Sequence, residues 1–279
     1  MRGPNPARDG GHDTSGTDRV TLLEAGPAVV EVDAHDGARL TSLRLDGQEL
    51  LVTGTGGGFG YGCFVMAPWA GRLRDGRATA LGRSIEVPRE PDDGHGRHGL
   101  VHSRSWDRTG PASWEVTVPP EPGWFASVHL RQDLELSPDR LELTLTASVD
   151  APTPLTIGWH PWFRRHLDDT EVELQVPAAW IHPRDPTGIP GTQRETVPPP
   201  PWDDTFGGLA GPVELAWGQL LRVTIETDAP VVVVYTGRTY GVCVEPQSGP
   251  PDEANRPDAR IVDPAAALVL RSTWRWQLS

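Results

Sequence analysis

The sequence predicts an all-β protein, a large antiparallel β-sandwich built from many short strands. Three observations carry that expectation. Glycine occurs 31 times and proline 29 times in 279 residues, which places turns at close intervals and suits short strands better than long helices. Several segments alternate apolar and polar residues at period two, the signature of a strand with one wet face. No stretch of ordinary helix length shows a convincing amphipathic period.

Residues 1–18 are polar and rich in Gly and Asp, with no apolar leader core. They are expected to form a disordered N-terminal tail ahead of a single domain over 19–279. Strands follow at 20–23 and 28–32. The segment 38–45 alternates and runs into an Asp46-Gly47 turn before the strand 48–52. The glycine-rich stretch 54–62 lacks the Lys-Ser/Thr ending of a phosphate loop, so it reads as a connection. Further strands are expected at 114–118, 126–136 and 140–149, the last two joined by a turn over Ser137-Pro138-Asp139-Arg140. The remainder lie at 171–176, 220–227, 231–235 and 266–276. The prolines at 198–201 form a rigid loop segment. No fixed-period repeat or break in composition marks a second domain.

The formal net charge is −13. A surface of that sign repels phosphate backbones and anionic lipid, so neither nucleic acid nor membrane is an expected partner. Every basic residue of the 25 counted as Lys+Arg is an arginine. That removes Schiff-base lysines and a phosphate-loop lysine at once. Cys63 and Cys243 make neither a disulfide framework nor a zinc cluster. With no leader and no long apolar span, a cytoplasmic setting is expected. Oligomeric state is not legible.

Four segments are unlike the surface loops of an inert sandwich: 67–77, 97–106, 157–164 and 242–255. Each puts a titratable residue beside Gly or Pro, where a fold presents side chains instead of packing them. Glu245 follows a nearly continuous apolar run and precedes Pro246, which is expected to end the strand. Period two puts Cys243 on the face of Glu245 and Val242 and Val244 on the other. A carboxylate behind so apolar a run should have a raised pKa, as a general base requires. The same placement also fits a strand-end glutamate in solvent. His160 has a similar design, with Pro161 after it and Trp159, Trp162 and Phe163 around it. It suits a proton donor near neutral pH, and equally a packed core histidine. His95, His98 and His102 are close in sequence, but no cysteine or acidic cluster completes a ligand set, so no metal is expected. Trp69, Trp159, Trp162 and Trp202 each lie near a polar candidate. Flat aromatic rings suit the apolar faces of sugars as well as core packing.

In this order the segments resemble the aldose 1-epimerase (galactose mutarotase) family. Pro68-Trp69-Ala70-Gly71-Arg72 with Asp75-Gly76 is similar to its Pro-Trp-x-Asn-Arg element, with Gly71 standing at the asparagine. His98-Gly99 with Trp106 is similar to its His-Gly element, and His160-Pro161-Trp162-Phe163 to its His-Pro-aromatic-Phe element. Asp203-Asp204-Thr205-Phe206 resembles its Asp-x-x-Phe element. Glu245-Pro246-Gln247 through Asn255 resembles its Glu-Pro-Gln element. The likeness spans nearly the whole chain after residue 20. The resemblance implies a galactose mutarotase-like supersandwich with a small-molecule sugar in an open cleft. It implies Glu245 as catalytic base and His160 as catalytic acid. Arg72, His98 and Asp203, with Trp69 and Trp162, would bind substrate, and the Asp203-Asp204 pair leaves open which carboxylate does so. No cofactor is implied, because anomer exchange needs only a base and an acid on either side of the hemiacetal.

Two readings compete on the same scaffold. A hexose-6-phosphate 1-epimerase would need a cationic pocket, for which Arg72, Arg74 and Arg77 are candidates. A non-catalytic sugar-binding or regulatory protein would not need His160 and Glu245. Glycosidases usually pair two carboxylates, whereas the acid here is a histidine. The expected pH profile is a bell, with Glu245 on the acidic limb and His160 on the alkaline one.

Overall fold

The computed structural model describes residues 19–54, 58–120 and 123–278; the expected disordered tail, 1–18, lies outside them. Among the described residues the regular structure is strand, apart from single turns of 3-10 helix at Arg74–Gly76 and Glu253–Asn255. Among the described residues no helix is long and apolar enough to cross a membrane.

Two antiparallel sheets carry the architecture, the sandwich that the sequence predicts. In the ten-stranded sheet the neighbours run Val20–Ala25, Ala28–Asp33, Arg39–Leu45, Cys63–Met66, Gly158–Arg164, Gly241–Gln247, Val231–Tyr235, Asp203–Gly207 and Trp180–His182, with Gln48–Glu49 flanking Arg39–Leu45. The eight-stranded sheet runs Asp107–Gly110, Ser113–Val118, Val128–Ser137, Arg140–Val149, Leu268–Leu278, Leu221–Thr227, Val213–Trp217 and Glu173–Gln175. Buried residues of both sheets belong to one hydrophobic cluster, including Val30, Leu43 and Val244 from the first and Leu145, Val223 and Trp274 from the second. Phe163 meets Trp274 across the layers with ring centroids 5.1 Å apart.

Local chemistry explains the hairpins. Asp46 and Gly47 both have positive φ, 50° and 81°, between the paired Leu45 and Gln48. This is the left-handed pair that matches strand twist in a two-residue hairpin. Ser137 pairs with Arg140 around Pro138-Asp139. Arg140–Val149 buries every second residue, as its alternation predicts.

Two expectations about strand ends need correction. Pro161 lies inside the strand Gly158–Arg164, and Pro246 lies inside Gly241–Gln247. Proline lacks the N–H a ladder needs. The structure answers by opening the ladder instead of ending the strands: pairing between these two jumps from Gly158↔Gln247 to Trp162↔Cys243. His160 and Glu245 occupy that gap. The strand Cys63–Met66 carries no periodic signal because all four of its residues are buried.

Candidate active site

Strand parity sorts the central strands into two faces. Trp159 and Phe163 point to the core with Val242, Val244, Val232, Val234 and Phe206. Their neighbours point the other way. Cross-strand register then aligns them in rows: Asp203, Tyr235, Cys243 and Trp162 in one, Thr205, Val233 and Glu245 in the next. Phe64 pairs with His160 on the far side, continuing that second row. This face floors a cleft of about 280 Å³. Loops wall it with Phe59, Asp93, His98 and Tyr240, and the short paired strands Arg72–Leu73 and Gly96–Arg97 add Arg72 and Arg97.

His160 and Glu245 meet on the floor. His160 Nε2 lies 3.2 Å from Glu245 Oε1, and both side chains are buried. The expectation of an acid and base on either side of the substrate is therefore replaced by a contacting pair. The two oxygens that exchange protons in a hemiacetal share one carbon, so adjacent groups can serve both. Gln247 Nε2 donates to Glu245 Oε2 at 3.0 Å and leaves Oε1 facing the imidazole. His160 is held flat between Phe64, stacked at 4.7 Å, and Trp162, at 5.6 Å.

Burial governs the protonation of both groups. It pushes the Glu245 carboxyl well above the ordinary carboxylate range, helped by the negative charge of Asp203. It pulls the His160 imidazole down to about 3. Behind Phe64 lies Arg39, fully buried, with its guanidinium carbon 4.7 Å from that ring. Asp36 pairs with Arg39 at 2.9 Å, and the carbonyls of Tyr61 and His102 accept from it. A fixed cation at this place also disfavours an imidazolium at His160.

The other expected residues divide. His98 lines the cleft, its ring edge-on to His160 at 4.7 Å. Burial, then His160, keeps it well below the ordinary histidine range. Arg72 lines the cleft with Nε 3.0 Å from Asp93 Oδ2 and Nη1 3.9 Å from Asp203. Asp203 is the cleft carboxylate of its pair; it also accepts from Arg184, whereas Asp204 does not line the cleft. Trp162 contributes to the floor. Trp69 is a correction: it does not reach the cleft but is buried and stacked on Trp124 at 5.3 Å. That ring belongs to the hydrophobic core, where an indole buries a large apolar area.

Sequence reading missed Phe59, Arg97, Tyr235, Tyr240 and the orienting role of Gln247. The tyrosines lie in and beside a five-residue hairpin connection, and no local pattern marks them. Gln247 sits two residues after Glu245, so period two alone places it on the same face. His95 is structural: Nδ1 accepts from the Asp75 backbone N–H at 3.0 Å and Nε2 donates to the Thr187 carbonyl at 3.0 Å. Asn255 is a brace as well, bonding the Thr79 N–H and the Arg77 carbonyl.

Gly71 has a local explanation. Its φ is +68°, and a Cβ there would stand 2.6 Å from Pro251 Cγ. Gly71→Asn, which inserts the residue of the resembled element, should lower stability by about 1–3 kcal/mol through overpacking. Adding Pro251→Gly should recover most of that loss. Thermal unfolding of the single and double variants checks this; a single variant as stable as the parent would show that Pro251 yields freely.

The aldose 1-epimerase family model matches residues 22–207. Among solved structures, a galactose 1-epimerase from Lactobacillus acidophilus NCFM is 19% identical, with a TM-score of 0.77 over 92% of this chain and 94% of that one. A galactose mutarotase-like protein from Clostridium acetobutylicum is 14% identical, with a TM-score of 0.80 over 92% and 95% of the two chains. No curated protein matches the sequence at a significant level.

Proposed function

Because this chain belongs to the aldose 1-epimerase family, we propose that it is a mutarotase that interconverts the α and β anomers of an aldohexose by opening and reclosing the pyranose ring. The observation that carries the proposal is the buried contact between His160 Nε2 and Glu245 Oε1 at the floor of the cleft. The pair shares one exchangeable proton in its neutral state. When the shared proton passes from Glu245 to His160 across their contact, the Glu245 carboxylate takes the proton of the C1 hydroxyl while His160 gives one to the ring oxygen, and the C1–O5 bond breaks. The aldehyde turns about C1–C2. Reclosure returns each proton along the reverse path, so none is gained or lost over a turnover. Asp203, Arg72 and His98 bind hydroxyls, and Trp162 offers a flat apolar surface beside them. The reaction calls on no cofactor or metal chemistry.

A neutral sugar suits the cleft charge. The three arginines that a phosphate pocket would use are each paired with carboxylates: Arg72 with Asp93, Arg74 with Asp185, and Arg77 with Glu86. The hexose-6-phosphate reading retains one supporting observation, Arg238 at the cleft margin. Polarimetry on freshly dissolved α-glucose, α-galactose and their 6-phosphates tests both readings. Acceleration of the free sugars is expected; no acceleration of any aldose would end the proposal, and a marked preference for the phosphates would favour the second reading.

The pair sets the pH profile. A second proton would create an imidazolium beside a carboxylic acid, and burial opposes that down to about pH 3 at His160. Losing the shared proton would leave a lone buried carboxylate, which burial and Asp203 oppose by raising Glu245. The one-proton pair should therefore give kcat/KM a broad plateau. Its acidic limb belongs to protonation of His160 and its alkaline limb to ionisation of Glu245, the reverse of the order expected from sequence. Both are apparent values of a coupled pair. In His160→Gln the residual activity should instead rise with pH as Glu245 ionises. An alkaline limb that survives in that variant would assign the proton to another group.

A further inference from the structure

A third donor lies beside the acid and the base, buried behind the cleft lining. Cys243 is adjacent to Trp162 by strand pairing and two residues from Glu245 on the same face. The ligand atoms of His160, Cys243 and Glu245 all lie within 4.8 Å of one another, on three buried side chains. We propose that this floor is a reversible binding site for a zinc-class divalent cation, and that occupancy silences the cleft by capturing the acid and the base together.

The donor chemistry selects the ion. Imidazole nitrogen, thiolate sulfur and carboxylate oxygen form a set suited to Zn²⁺ and Co²⁺, not to Mg²⁺ or Ca²⁺, which prefer oxygen alone. Bond lengths of roughly 2.0–2.3 Å put tetrahedral donors roughly 3.3–3.8 Å apart. The His160–Glu245 separation of 3.2 Å is already close to that, and the other separations, all within 4.8 Å, need to shorten by roughly 1 Å. Three protein ligands leave the fourth position facing the cleft for water. Gln247 already orients Glu245 from behind, as an outer partner of a metal ligand does.

The same surroundings make the ion a visitor. His160 Nδ1 has no hydrogen-bond partner among the described residues, whereas imidazoles that hold resident zinc donate that proton to a fixed acceptor. Binding must also release the thiol proton of Cys243. The ion therefore competes with sugar for the floor and leaves when chelated.

Cobalt titration of the full chain tests the site directly. A near-ultraviolet thiolate-to-cobalt charge-transfer band, displaced by Zn²⁺, is expected. Cys243→Ser should abolish the band and weaken Zn²⁺ binding, read by calorimetry, by at least about tenfold. Should that variant fail to fold by circular dichroism, Glu245→Gln should keep the band and weaken binding by a similar factor. No band in the parent protein, or Zn²⁺ binding unchanged in the folded variants, would overturn the site. The inhibitory half rests on the mutarotase reading: Zn²⁺ should suppress anomer exchange and chelation restore it fully. A cobalt band on a protein that accelerates no aldose would uphold the ion site and remove that reading instead. A band with anomer exchange unaffected at saturating Zn²⁺ would overturn the inhibition.

Discussion

Glu245→Gln and His160→Gln should each lower kcat/KM for the best aldose by roughly 10²–10⁴-fold, the usual contribution of one acid–base group. Glutamine keeps the shape of Glu245 and can still meet Gln247, so the fold should survive, as circular dichroism would show. At His160, glutamine preserves a polar group between Phe64 and Trp162 but cannot deliver a proton to the ring oxygen. The two groups touch, and in the proposed mechanism they work as one proton-exchanging unit, so their losses should not add. The double variant should be little worse than the poorer single variant. A single variant with near-parental kcat/KM would remove its residue from the mechanism. Fully additive losses would mean that the groups act separately.

Gly99→Ala should cost about 3–5 kcal/mol of stability, or roughly 6–20 °C in Tm at about 2–4 °C per kcal/mol. Gly99 has φ +78°, and a Cβ there would lie 2.0 Å from the Ala67 carbonyl oxygen and 2.4 Å from its carbon. The obstacle is backbone, which a rotamer change cannot relieve. Ala67 and Gly99 pair directly, and Leu100 N–H donates to the Ala67 carbonyl at 2.7 Å. His98, also at positive φ, hangs from the same contact. The variant should therefore displace His98 and lose activity as well as stability. Gly47→Ala provides the comparison: φ is +81°, but nothing lies within 4 Å of the added Cβ. Its cost should be the conformational part alone, about 1–2 kcal/mol. Equal Tm shifts in the two variants would show that close approach to Ala67 is not the reason for this glycine.

The sequence by itself determined the sandwich and most of its strands, and it singled out His160 and Glu245 as the pair to examine. Alternation along 140–149 fixes which residues face the core, because side chains in a strand change face at every step. The same rule puts Cys243 on the face of Glu245. Proline was legible as a disturbance but misread as a stop. Sequence shows that Pro161 and Pro246 cannot donate to a ladder; only neighbouring strands decide whether a strand then ends or opens. Here the two prolines lie on neighbouring strands, staggered about the level of His160 and Glu245, and the gap they leave holds that pair. Trp69 illustrates the converse. A tryptophan beside a polar motif has the same local signature whether it lies in a cleft or on another indole, and packing against Trp124 decided it. The contact of His160 with Glu245, the cation of Arg39 behind Phe64 and the choice of Asp203 over Asp204 all join segments far apart in the chain. They arise from cross-strand register, which is a property of how strands pair and not of any one strand's residues.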